Sequence, residues 1–97
     1  MKAVFIAYNQ ALTDAVNNLL DRRGIKGFTR WEEVHGRGSH TGEPHFGSHT
    51  WPAVNSAILA IIEEEQVKPL LASLKKLDAK AEQQGLRAFV LNIEGMV

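Results

Sequence analysis

The chain has 97 residues, which is enough for one small domain covering residues 1–97. Its 44% hydrophobic and 23% charged residues are typical of a globular protein and exclude a disordered tail. Eleven basic and eleven acidic residues cancel, which disfavours nucleic acid as a partner because its binders carry a basic excess. The chain has no cysteine, no signal-peptide pattern and no apolar run long enough to span a membrane. We therefore expect a cytoplasmic protein without direct membrane insertion.

The predicted elements alternate between strands and helices. Short apolar runs predict strands, and apolar residues at helical spacing predict helices. In chain order these are a strand at 2–8, a helix at 12–23, strands at 28–35 and 54–62, a helix at 65–84 and a strand at 88–93. Gly24 and Gly85 are expected to end the helices, and Pro69 fits only the first turn of the second helix. This βαββαβ order predicts an α+β, ferredoxin-like fold with a four-stranded antiparallel sheet and both helices on one face.

Three of the predicted strands are apolar on both faces. In the first strand Phe5 faces away from Ile6, and in the last strand Leu91 faces away from Val90. Two helices can cover only one face of the sheet, and the other would expose more apolar surface than a soluble monomer tolerates. We therefore expect another copy of the chain to cover it.

The region between the second and third strands is rich in glycine, proline and histidine. Residues 36–52 include four glycines and two prolines, which predicts a long loop. All four histidines of the chain fall between positions 35 and 49. Neutral imidazole is a good ligand for zinc, copper and nickel, and a nearby carboxylate would add an oxygen ligand. The candidate metal ligands are His40, Glu43, His45 and His49.

The histidine spacing matches no standard metal motif, so two interpretations stay open. Either a subset of these side chains binds a transition metal, or they are exposed loop residues used in turns and hydrogen bonds. His35 is the weakest candidate because it ends a strand. Ser39 and Ser48 lie near histidines, but no acid is spaced to complete a catalytic triad. We therefore do not expect an enzyme.

The start of the loop resembles a known family. Residues 24–29, with the pattern Gly-Ile-Lys-Gly-Phe-Thr, lead to residues 33–38, Glu-Val-His-Gly-Arg-Gly, and then to Gly42. This order and spacing is similar to the second strand and T-loop of the nitrogen-regulatory PII signalling family. The resemblance extends to the opening strand and helix, to residues 51–54 and to residues 85–89.

The resemblance implies a homotrimer whose sheets face inward and which binds small molecules between its subunits. It implies that the T-loop docks on a partner, such as a membrane transporter or another regulatory target. Gly36 and Gly38 keep the backbone open to close approach of a ligand, and Arg87 stands where the family has a phosphate-binding lysine. Ala53 replaces a basic residue of the family, and the sequence ends at Val97, before further arginines. We therefore expect ATP to bind weakly, if at all.

The family's modified tyrosine is also missing, because Tyr8 is the only tyrosine and belongs to the first strand. The leading interpretation is a trimeric PII-like regulatory protein that binds a small ligand or metal ion and acts through residues 36–52. The alternative is a transition-metal-binding protein of metal homeostasis, as in the similarly folded CutA family.

Overall fold

The computed structural model describes residues 1–37, 54–80 and 85–97. The elements are β1 (Lys2–Asn9), a 3-10 turn (Gln10–Leu12), α1 (Thr13–Arg22), β2 (Phe28–Val34), β3 (Asn55–Ile62), a 3-10 turn (Glu64–Gln66), α2 (Val67–Lys80) and β4 (Arg87–Asn92). The predicted order is confirmed, and every strand boundary lies within one residue of its prediction. The predicted end of the second helix at Gln84 lies outside the described residues.

The four strands form one antiparallel sheet in the order β2-β3-β1-β4. The central strand β1 pairs with β3 from Lys2↔Ile62 to Asn9↔Asn55. On its other side it pairs with β4 from Lys2↔Asn92 to Ala7↔Arg87. Strand β2 pairs with β3, and its register shifts between Trp31 and Val34. The sheet therefore has β2 and β4 at its edges, in the predicted ferredoxin-like arrangement.

Both helices pack against the same face of the sheet. The strands supply side chains of alternating positions, including the fully buried Val4, Ile6 and Ile58. The helices supply residues at helical spacing, and the buried core they form together is Val4, Ile6, Tyr8, Val16, Leu19, Leu20, Ile25, Ile58, Ala60, Ile62, Leu70, Leu74 and Leu86. The helical stripes predicted from the sequence are thus the buried faces of α1 and α2.

Gly24 and Ile25 form the cap at the C-terminal end of α1. Gly24 has a φ of +70°, the left-handed conformation that glycine adopts without a steric penalty. Its N–H donates to the carbonyl of Asp21 at 3.0 Å, and the Ile25 N–H donates to the carbonyl of Leu20 at 2.9 Å. Ile25 is buried, so an apolar residue closes the helix end against the core.

The opposite face of the sheet is apolar and is left uncovered by the helices. Register places Phe89 beside Phe5, Leu91 beside Ala3, and Trp31 beside Ala57 on this face. Its large side chains stay exposed towards the sheet edges: Phe89 is 56%, Leu91 52% and Trp31 45% exposed. The predicted presence of two apolar faces is confirmed.

No helix in residues 1–37, 54–80 and 85–97 combines the length and the apolar character that crossing a bilayer requires.

The contribution of the helix layer is testable at two leucines of α2. Leu74 is buried in the core, whereas Leu71 is only partly buried. We expect Leu74→Ala to lower the free energy of unfolding by about 2–5 kcal/mol, because it removes buried methyl groups and leaves a cavity. Leu71→Ala, the same change in the same helix, should cost less than half as much. Denaturant unfolding at one fixed protein concentration measures both, and equal losses would contradict the described packing.

Candidate functional site

One end of the sheet gathers the described residues that the sequence singles out. Strands β1 and β2 end there, and β3 and β4 begin there, because neighbouring strands are antiparallel. Gly36 lies just beyond β2, and Arg87 is the first residue of β4. These strands are opposite edges of the sheet, so three strand spacings of about 4.8 Å place the edges roughly 14 Å apart. A single chain therefore does not bring the two predicted ligand-binding positions together.

Gly38 and the metal-ligand candidates His40, Glu43, His45 and His49 lie outside the described residues. In the described part of the chain, no three His, Cys, Asp or Glu side chains come close enough to hold a metal ion. His35 directly follows β2 and is exposed. The predicted metal site stays a prediction.

Two short segments flank residues 38–53. We call residues 32–36, which precede them, the leading stem, and residues 54–56, which follow them, the trailing stem. The carbonyl of Glu32 in the leading stem accepts two side-chain hydrogen bonds. Ser56 Oγ donates to it at 2.7 Å, and Gln10 Nε2 donates at 3.1 Å. The Gln10 backbone N–H donates to the Val54 carbonyl at 2.8 Å. The stems are therefore bonded both to each other and to the end of β1.

Gly36 lies where the two stems approach each other closely. A Cβ atom at this position would lie 2.8 Å from Asn55 Nδ2, well inside normal contact distance. A larger residue would force the Asn55 side chain to move. The glycine therefore leaves room for the Asn55 side chain between the stems.

Arg87 lies in a small cluster of charged groups between β4 and α2. Its Nη1 donates to the Leu86 carbonyl at 2.9 Å and lies 3.9 Å from Asp78 Oδ2. The other oxygen of Asp78 accepts the Leu86 N–H at 3.1 Å. The two side chains are 53% and 35% exposed, so solvent screens the ion pair, which contributes about 0–1 kcal/mol. The Arg87 guanidinium is thus only weakly bound to Asp78, and its remaining N–H groups can donate to an anion.

A shallow cavity of about 230 Å³ adjoins this cluster. Arg87, Lys75 and Asp78 provide its charged lining, and leucines of α2 provide part of its apolar lining. Two cationic side chains and one carboxylate give the lining of this cavity a net positive charge, which suits an anionic ligand.

The sequence reasoning missed three residues of this end of the sheet: Gln10, Ser56 and Asp78. Only Asp78 carries a signal in the sequence. It is an acid late in a helix whose other charged residues are lysines, where a carboxylate opposes the helix dipole. Gln10 and Ser56 belong to no motif, because their partners are backbone atoms that only the strand register brings near.

The model of the family described as "Nitrogen regulatory protein P-II" matches residues 1–97 of this chain. No curated protein sequence matches the chain significantly.

Solved structures resemble the chain over almost its full length. CPII, a nitrogen regulatory PII-like protein from Thiomonas intermedia K12, is 30% identical in its structure bound to ADP, AMP and bicarbonate, with a TM-score of 0.76; the match covers 95% of this chain and 84% of CPII. A second CPII structure, bound to ADP and bicarbonate, is 30% identical with a TM-score of 0.75 and the same coverage.

A PII-like signalling protein from Thermus thermophilus shares the fold at 24% identity, with a TM-score of 0.67, over 95% of this chain and 85% of that protein. With the ferredoxin-like fold and the family match across the whole length, this chain belongs to the nitrogen regulatory protein P-II family.

Proposed function

We propose that this chain is the subunit of a homotrimeric PII-like signalling protein, which binds an adenine nucleotide between subunits and acts on a regulatory target through residues 36–52. The observation that carries the proposal is the placement of Gly36 and Arg87 at one end of the sheet but on opposite edges. A ring of copies places the β4 edge of one subunit beside the β2 edge of the next. The two positions then face each other across a subunit boundary. The family is regulatory, and we propose no catalytic step.

The uncovered sheet face supports the trimer. Phe89, Leu91 and Trp31 would lose their contact with water if the sheets faced a common axis. Because a cyclic ring repeats every position at the same height along its axis, all copies present Gly36 and Arg87 at the same end. A cytoplasmic location and a transporter as the target stay predictions of the sequence.

The charges near Arg87 support an anionic ligand. CPII binds ADP, AMP and bicarbonate, and each of these ligands carries negative charge. A phosphate group would take the place of the Asp78 carboxylate, which is exposed and 3.9 Å from Arg87. The phosphate would accept a shorter, charge-assisted hydrogen bond from the guanidinium. Since Asp78 competes for the same cation, we propose that binding is weak.

The assembly is tested by changing one side of β4. We expect light scattering of the wild-type protein at micromolar concentration to give three times the 10.8 kDa of the chain. Leu91→Lys should shift the mass towards that of the monomer, because it puts a charge on the apolar face that the trimer buries.

Val90→Lys is the matched control, because Val90 is the adjacent residue of the same strand, faces the helices and is also partly exposed. It should leave the trimer intact. A wild-type monomer, or a trimer that tolerates Leu91→Lys and not Val90→Lys, would contradict the proposed assembly.

Nucleotide binding is tested by calorimetry with ADP. Arg87→Ala should weaken ADP binding about 10- to 100-fold, because a charge-assisted hydrogen bond to phosphate contributes about 1.5–3 kcal/mol. Asp78→Asn should strengthen binding, since it removes the competing charge and keeps an oxygen that can accept the Leu86 N–H.

The control for these variants is Lys26→Ala, which removes an exposed cation between α1 and β2, away from Arg87. It should change ADP affinity less than twofold. If Arg87→Ala retains wild-type affinity, the nucleotide site lies elsewhere.

The clustering of the four histidines supports a second proposal, that His40, His45 and His49 bind zinc, copper or nickel with Glu43. We expect affinity to fall as the pH drops through about 6.5, because only the neutral imidazole binds metal. Titration with each metal should show that His40→Ala or His45→Ala weakens binding far more than His35→Ala does. A variant lacking His40, His45 and His49 that retains wild-type affinity would exclude this site.

A further inference from the structure

Gln10 is bonded to both stems at once. Its side-chain N–H reaches the Glu32 carbonyl of the leading stem, and its backbone N–H reaches the Val54 carbonyl of the trailing stem. Both contacts join Gln10 to residues that are distant from it in the sequence. One residue directly after β1 therefore contacts both of the segments that enter and leave residues 38–53.

The Glu32 carbonyl lies where the ladder between β2 and β3 is interrupted. The register shifts between Trp31 and Val34, and such an irregularity bends a strand and leaves backbone groups without a ladder partner. Gln10 and the buried Ser56 supply the two donors that this carbonyl accepts. They therefore hold the irregular part of β2 in place beside the start of β3.

Gln10 is itself held in place from both sides. The side chain of Asn9 accepts the N–H of Ala11 at 2.9 Å, which caps the 3-10 turn that Gln10 begins. The Thr13 hydroxyl donates to the Gln10 carbonyl at 2.7 Å. With its backbone fixed in this way, Gln10 presents its donors from a rigid base, which is the junction between β1 and α1.

We propose that Gln10 is a positioning residue that couples the two stems, so that displacement of one stem displaces the other or breaks the bond from Gln10 Nε2. This role deepens the proposed function and rests on it where ligands are concerned. A ligand between subunits near Gly36 meets stems that are already held in one arrangement, and this preorganisation lowers the cost of binding. Without the side-chain donor, a smaller fraction of the protein has both stems in place, and the apparent affinity falls by that fraction.

The first test uses the ligand-free protein. Gln10→Met keeps the length of the side chain and removes its donor without adding charge. Hydrogen exchange should become roughly three- to tenfold faster in peptides from both stems, as expected for the loss of one hydrogen bond. Exchange in the core of α2 should change less than twofold. Gln10→Lys restores an N–H donor of similar reach and should return stem exchange to near the wild-type rate.

Gln66→Met is the matched control, because Gln66 Nε2 also donates to a backbone carbonyl, that of Arg23 at 3.3 Å, away from both stems. It should leave stem exchange unchanged. Acceleration in only one stem, or in neither, overturns the coupling; so does acceleration that Gln10→Lys fails to reverse, because the donor would then not be its cause.

The second test adds ADP. In the wild type, ADP should slow exchange in both stems. The Gln10→Met variant should bind ADP roughly three- to tenfold more weakly. In this variant, bound ADP should slow exchange in only one of the two stems. Equal slowing of both stems in Gln10→Met would overturn the ligand-linked role. If ADP has no effect on the wild-type protein, the proposed nucleotide function fails, whereas the ligand-free comparison still decides whether Gln10 couples the stems.

Discussion

The apolar second face of the sheet is the constraint on which the rest of this molecule depends. The helices bury most of one face, and the strands β1, β3 and β4 also carry large apolar side chains on the other. Completing the burial of Phe89 or Leu91, each about half exposed, would add on the order of 1 kcal/mol per side chain. Summed over the face, this exceeds the contribution of the Gln10 hydrogen bond or of the Asp78–Arg87 ion pair. The proposed assembly would therefore stabilise the fold, because an isolated chain leaves this apolar face exposed to water.

The topology couples assembly to the site as well. In the order β2-β3-β1-β4, antiparallel pairing brings Gly36, Val54 and Arg87 to one end, while the central strands keep Arg87 apart from the stems. No local rearrangement closes this separation, because β1 and β3 lie between the edges and are fully paired. A ligand site that uses both edges belongs to two subunits. In the proposed trimer, the contacts that bury the apolar face would thus also form the proposed site.

The sequence was sufficient for the features that depend on periodic patterns. Alternation along the strands and helical spacing in α1 and α2 predicted the element order, the buried helix faces and the two-faced sheet, and Gly24 predicted a helix end. These features are local, since each follows from residues close in the sequence. The irregular register of β2 and the contacts of Gln10 and Asp78 were not predicted. Their hydrogen bonds join positions that are distant in the sequence and become neighbours only through the strand register. The identity of a glutamine or an aspartate does not predict which backbone carbonyl or N–H will be its hydrogen-bond partner.

The energies of these two groups of interactions differ in scale, and this difference suits a regulatory protein. The core leucines contribute several kcal/mol each, whereas the Gln10 bond and the Asp78–Arg87 pair contribute about 1 kcal/mol or less. A ligand of modest affinity can therefore change the stems and the charged groups around Arg87 without disturbing the sheet. Because a ligand shifts a conformation only by its differential affinity for the two states, weak contacts at the site would allow the proposed, weakly bound nucleotide to act as a signal. If the contacts of Gln10 and Asp78 were as strong as those of the core, the stems would be fully held before binding, and the same nucleotide would stabilise them no further.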